Sequence, residues 1–108
     1  MTTVTATTTD RVLASADARL DELARYVRPL GVPFLDTLVA LDRALAELRD
    51  LNVASAIGFI RHARRMTFGS DRHRETEASA IRGRIAYVEG FLAAADVVVS
   101  AEAEAVIA

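Results

Sequence analysis

Apolar residues recur at alternating spacings of three and four along almost the whole chain. Leu13, Ala16, Leu20, Leu23, Val27 and Leu30 form the first run, the pattern of a helix that buries one face. Thr9-Asp10 gives an N-cap signal just before it. Arg28-Pro29 ends the run, because the residue before proline is pushed out of the helical region, and Pro33 suits the first turn of a new helix. A connection this short predicts two antiparallel helices in contact.

The second run is longer: Phe34, Leu38, Leu41, Leu45, Leu48, Asn52, Ser55, Phe59, His62 and Met66 keep the four-three alternation without a break. It predicts one helix over 34–66, roughly 50 Å long. Gly69 is a stop signal and Ser70 or Asp71 the next cap. Ala78, Ile81, Ile85, Val88, Leu92, Ala95 and Val99 then mark a third helix. Folding the second and third helices about Phe68 aligns both seams, pairing Leu45 with Leu92, Leu48 with Val88, Asn52 with Ile85, Ser55 with Ile81 and Phe59 with Ala78. The expected fold is therefore all-α: a long, coiled-coil-like antiparallel helical hairpin with a shorter N-terminal helix packed on its base, a three-helix bundle. Residues 10–108 form one domain on this reading, and the Thr-rich residues 1–9 a disordered arm.

Three features of the seam carry further expectations. Asn52 is read as a single buried amide that fixes register. Gly83 and Gly90, inside the third helix, imply the close approach of another backbone. The first helix runs out at about Asn52, which leaves an apolar stripe of Val53, Ile57 and Ile60 beside the seam. A second copy is expected to cover it, with Tyr87 and Phe91 contributing, so the predicted state is a homodimer or higher.

Charge sharpens the picture locally rather than globally. The net charge is only −2, but residues 61–84 hold seven Arg against three acids, whereas residues 85–108 hold four acids and no base. Arg61, Arg64, Arg65, Arg72 and Arg74 surround Phe68 at the expected hairpin tip. The plain reading is a solvated basic end; the functional one is a site for an acidic protein surface. Nucleic acid is the weaker candidate, since a single aromatic is available for stacking. All thirteen basic residues are Arg, which suits bidentate contacts.

Chemistry-bearing patterns are sparse. With no Cys there is no disulfide, thiolate nucleophile or zinc-thiolate site. No apolar run approaches the ~20 residues of a membrane span, and the N-terminus lacks the basic and apolar regions of a secretory signal; a cytoplasmic protein without a membrane partner is expected. His62 falls level with Glu75, so an imidazole–carboxylate bond is predicted. His73 and Glu77 are four apart, but two ligands do not make a metal site. No serine–histidine–acid set or glycine-rich phosphate loop is present, so neither catalytic residue nor cofactor is assigned.

One resemblance points elsewhere. The segments LDRALAEL, residues 41–48, and DRHRE, residues 71–75, resemble all-helical chorismate mutases over about half the chain. That resemblance implies a dimer of long helices holding a small dicarboxylate acid between basic residues. The position of the family's arginine after the leucine heptads falls near Asn52, however, and the final helix contains no glutamine. The reading carried forward is a non-enzymatic interaction, assembly or regulatory adaptor. A nucleic-acid-binding module and an enzyme of chorismate-mutase type are the alternatives.

Overall fold

The computed structural model describes residues 7–69 and 72–107. All of its regular structure is helical, and four α-helices pack together. Helix α1, Thr8–Val27, opens with a capping box: Asp10 N–H donates to Thr7 Oγ1 at 3.1 Å, and Thr7 N–H donates to Asp10 Oδ2 at 3.2 Å. The cap is therefore Thr7 rather than Thr9, because the reciprocal pair needs the acid three residues on. Of the arm expected over residues 1–9, Thr8 and Thr9 belong to α1, and residues 1–6 lie outside the described residues. Two short 3-10 turns, Arg28–Leu30 and Val32–Phe34, lead into α2, Leu35–Arg49. Gly31 joins them at φ +84°, a conformation open to glycine at little steric cost.

The single 33-residue second helix does not form. The chain turns back after α2 and returns as α3, Val53–Met66, before two further 3-10 turns, Thr67–Gly69 and Arg72–Arg74, and the long α4, Glu75–Ile107. The reversal is a Schellman turn: Leu51 N–H bonds the Leu48 carbonyl at 3.0 Å and Asn52 N–H bonds the Glu47 carbonyl at 2.8 Å. Leu51 sits at φ +66° in the position that glycine usually fills. The left-handed conformation costs a non-glycine residue about 1–2 kcal/mol.

Paired side chains fix the topology. Arg28 meets Asp42 and Arg49 meets Asp17 between α1 and α2; Arg43 lies over Phe59 between α2 and α3; Arg84 lies over Tyr26 and Arg19 over Phe91 between α4 and α1. In the α1–α2 and α1–α4 sets one residue number rises as the other falls, so those neighbours run antiparallel, and the reversal at 50–52 makes α2 and α3 antiparallel as well. The closest helix pairs are α1 with α2, α2 with α3, α3 with α4 and α4 with α1, an up-down-up-down four-helix bundle. Helices α2 and α4 are diagonal, so the expected pairing of Leu45 with Leu92 and Leu48 with Val88 in one two-helix seam is replaced by a shared four-helix core.

The core shows why the second helix breaks. Leu41, Leu45 and Leu48 of α2 are buried as the pattern predicts, and so are Ala78, Ile81, Ile85, Val88, Leu92 and Ala95 of α4. In α3 the buried stripe is Val53, Ala56, Ile60 and Ala63, followed by Thr67, each one position after the seam residues Asn52, Ser55, Phe59, His62 and Met66. One residue is about 100° of helix rotation. Burying Val, Ala and Ile in place of Asn, Ser and His is the more favourable phase by the area rule, and the turn at 50–52 permits it. Asn52 is accordingly exposed, not a buried register amide.

The register of α3 on α4 differs as well. Folding about Phe68 would set Arg82 opposite Ser55; instead Arg82 Nη1 donates to Thr67 Oγ1 at 3.3 Å, twelve positions further along. The 3-10 turns Thr67–Gly69 and Arg72–Arg74 pack beside α4. Gly83 and Gly90 meet no close backbone: a Cβ added at either finds nothing within 4 Å.

Arg49 donates through Nε to Asp17 Oδ2 at 2.9 Å and through Nη2 to Oδ1 at 3.2 Å. Hydrogen bonding to this carboxylate, reinforced by its charge, raises the Arg49 pKa above the ordinary value. A raised folded pKa gives stability that is complete below the unfolded value and lost only as pH rises through the folded one, so the Arg49 cation is lost only at strongly alkaline pH. Among the described residues, no helix is long and apolar enough to cross a membrane.

Candidate functional site

The bundle has two unlike ends. One carries the 28–34 and 67–74 connections, and the other carries the 50–52 turn, the start of α1 and the last turns of α4. The arginine-rich segment lies at the first. Arg61, Arg64 and Arg65 fall at i, i+3 and i+4 near the C-terminus of α3, so they share one face. All three are exposed, and none forms an ion pair or ring contact among the described residues. Cations there also complement the helix dipole.

Their isolation is selective. Arg19, Arg25, Arg28, Arg49, Arg74 and Arg82 are all in ion pairs, and Arg43 and Arg84 stand over aromatic rings. Arg74 belongs to this engaged group, held by Glu77 at 2.6 Å. Arg72 lies in the second 3-10 turn of the connection; its side chain is outside the described residues. Phe68 is 65% exposed, and the Arg82 guanidinium covers one side of its ring at 4.3 Å. Arg82 itself is largely buried, bonded to Glu75 and Thr67, while Thr67 Oγ1 donates to the Arg64 carbonyl at 2.6 Å. The expected tip thus divides in two: Arg74 and Arg82 tie down the connection, and Arg61, Arg64 and Arg65 face solvent.

The stripe expected to be covered by a second copy, and the Tyr87 and Phe91 expected to contribute, do not form one surface. Val53 and Ile60 are 3% and 0% exposed, inside the chain's own core, and Ile57 packs against that core. Helix α2, folded back at 50–52, covers the stripe that was expected to need a second copy. Tyr87 is exposed and meets the partly buried Phe91 edge to face, with centroids 5.0 Å apart. His62 is exposed in a groove with Val39, Arg43, Phe59 and Met66. The carboxylate expected to hold it, Glu75, is instead bonded by Arg82.

A cleft of about 210 Å³ between α1 and α4 is lined by Arg19, Glu22, Leu23, Arg84, Tyr87 and Val88. Both arginines are engaged, Arg19 by Glu22 and Phe91 and Arg84 by Tyr26, so they do not converge on an empty centre. Among the described residues no group of three or more His, Asp or Glu is arranged to hold a metal ion. The guanidinium–aromatic stacks between helices escaped sequence reasoning because each joins residues far apart in sequence, and only the correct register brings them together. Compared with protein families, with curated proteins and with solved structures, the chain finds no match.

Proposed function

We propose that the chain is a cytoplasmic, non-enzymatic interaction module, an assembly or regulatory adaptor, that presents Arg61, Arg64 and Arg65 to an acidic protein surface. One observation carries this reading. Eight other arginines are engaged within the chain; these three, clustered on one exposed face, are not, and Arg11, which also forms no ion pair or ring contact among the described residues, stands apart near the start of α1 at the other end of the bundle. Planar guanidiniums one turn apart suit bidentate contact with carboxylates. Such a contact needs no movement of the bundle, because the arginines stand on a packed helix rather than on a loop.

Binding of a fluorescent Asp/Glu-rich peptide, followed by anisotropy, tests the reading. The wild type is expected to bind, and Arg64→Glu with Arg65→Glu to weaken binding at least about tenfold while the helical circular dichroism signal stays unchanged. Equal binding by wild type and variant would refute it. Preferential binding of duplex DNA or single-stranded RNA, with a steep loss as salt rises, would replace it with the nucleic-acid reading.

A further inference from the structure

Helix α2 gives Leu41, Leu45 and Leu48 to the core and turns a face of mixed character to solvent. Asp36, Val39 and Arg43 fall at i−3, i and i+4 on that outward face, and all three are exposed. Val39 is 50% exposed, while Leu35 and Val32, which lead into it, are 52% and 84% exposed. Single exposed apolar residues are ordinary, but three large ones within eight positions of chain form a patch. The charges that frame Val39 are opposite in sign, and neither has an ion partner among the described residues. Asp36 and Arg43 stand seven residues apart, about 10 Å along the axis, too far to pair with each other. Arg43 lies over the Phe59 ring at 5.8 Å, a stack that leaves the edge of the guanidinium open to a carboxylate.

We propose that this face binds the same face of a second copy, giving a two-fold dimer in which the two α2 helices pack antiparallel. Turning one α2 end for end about the level of Val39 and Ala40 sets Asp36 of each copy opposite Arg43 of the other, so a single contact makes two ion pairs. It also lays the two Val39 side chains beside each other. Val32 and Leu35 of each copy come next to Ala46 of the other, an exposed position whose small side chain leaves room for them. An acid and a base set on either side of an apolar residue are what a two-fold contact needs, because the same patch must complement itself. A parallel pairing of the same helices would set acid on acid and base on base. The groove beside the contact, lined by Val39, Arg43, Phe59, His62 and Met66, extends the apolar surface toward α3. Each bundle keeps its own fold, since only outward residues of α2 take part. None of Arg61, Arg64 and Arg65 is used, so the two proposals stand or fall separately.

Light scattering over a range of protein concentrations gives the dimerisation constant and the test. Asp36→Arg and Arg43→Asp should each weaken dimerisation at least about tenfold, because each puts two like-charge contacts into the dimer. The double variant, Asp36→Arg with Arg43→Asp, exchanges the two charges and should return to within about threefold of wild type. Circular dichroism should show the same helicity in all three, as both positions are exposed. Cysteine cross-linking reads the same contact without reversing a charge, since the chain has no cysteine of its own. Val39→Cys should be joined rapidly between copies by a short thiol cross-linker, and Ala86→Cys, exposed on α4, far more slowly. The proposal is overturned if the wild type stays monomeric at its highest soluble concentration, which would leave the face to a different protein. It is overturned equally if the double reversal fails to regain the dimer, or if Ala86→Cys is joined as fast as Val39→Cys.

Discussion

Glu47 and Asn52 are joined twice: the Asn52 N–H donates to the Glu47 carbonyl at 2.8 Å, and the Asn52 side-chain amide donates to the Glu47 carboxylate at 3.0 Å. This pair closes the reversal between α2 and α3, and everything specific to the fold follows from it. With the turn closed, α3 lies against α2 and presents Val53, Ala56, Ile60 and Ala63 to the core. Leu51 stands between the paired residues in a conformation its side chain opposes.

The first prediction concerns that opposition. Leu51→Gly relieves the left-handed strain, offset by the larger unfolded-state entropy of glycine. A net gain of about 0.5–1 kcal/mol is expected in urea unfolding at low protein concentration, where the single chain dominates. Asn52→Ala, which removes the exposed amide bond but not the backbone one, should lose about 0.5–1 kcal/mol. A loss of stability in Leu51→Gly would mean that the half-exposed leucine packs more than it strains.

The second prediction separates the two phases of α3. Ile60 is fully buried, and Ile60→Ala should destabilise the bundle by about 2–5 kcal/mol. Ser55, a seam position in the unbroken pattern, is exposed, and Ser55→Leu should change stability by no more than about 0.5 kcal/mol. Thermal unfolding of the pair decides between the phases, since a continuous seam would give a marked gain for Ser55→Leu.

These two residues also mark how much of the fold the sequence made legible. The all-helical class and the core faces of α1 and α4 follow from spacing alone, because each is one uninterrupted stripe, although the caps at Thr9 and at Ser70 or Asp71 are replaced by Thr7 and by a start at Glu75. Within 52–66 two stripes overlap one position apart, and spacing cannot choose between them. The signal that could have chosen was chemical: the in-phase stripe holds Asn, Ser and His, and the offset one holds Val, Ala and Ile. No Gly or Pro marks the turn, since Leu51 occupies the place where such a signal would stand. The candidate site was legible only as a cluster of charge. Arg74 is engaged by Glu77 three positions on, a local spacing open to sequence reading, but the contact of Arg82 with Thr67 depends on a register that the misplaced turn had shifted by twelve positions.

A third prediction follows from the open space at Gly83 and Gly90. Neither has an atom within 4 Å of an added Cβ, and both lie on the exposed face of α4. Gly83→Ala and Gly90→Ala should each stabilise the chain by about 0.5–1 kcal/mol, by lowering the entropy lost when the helix forms. Their effects should add, as the sites are two turns apart on one helix. Destabilisation by either alanine would indicate a backbone or ring drawn in against α4 in solution.

The fourth prediction distinguishes structural from available arginines at the same end of the molecule. Arg82 bonds Glu75 and Thr67 and covers Phe68, with its side chain only 16% exposed. Arg82→Ala removes three contacts at once, leaving the Phe68 ring open and the first turn of α4 untied from the end of α3. The loss should be about 1–2 kcal/mol, less than a buried ion pair would give because Glu75 is itself 63% exposed. Arg82→Lys keeps the charge but not the planar fork and should recover less than half of that loss. Arg64→Ala and Arg65→Ala, which break no contact within the chain, should leave stability within about 0.5 kcal/mol of wild type. Hydrogen exchange locates the effect: Arg82→Ala should speed exchange in residues 67–78 and leave α1 and α2 unchanged. Equal acceleration by Arg64→Ala would mean that the exposed arginines also hold the connection, and would remove the distinction on which their availability to a partner rests.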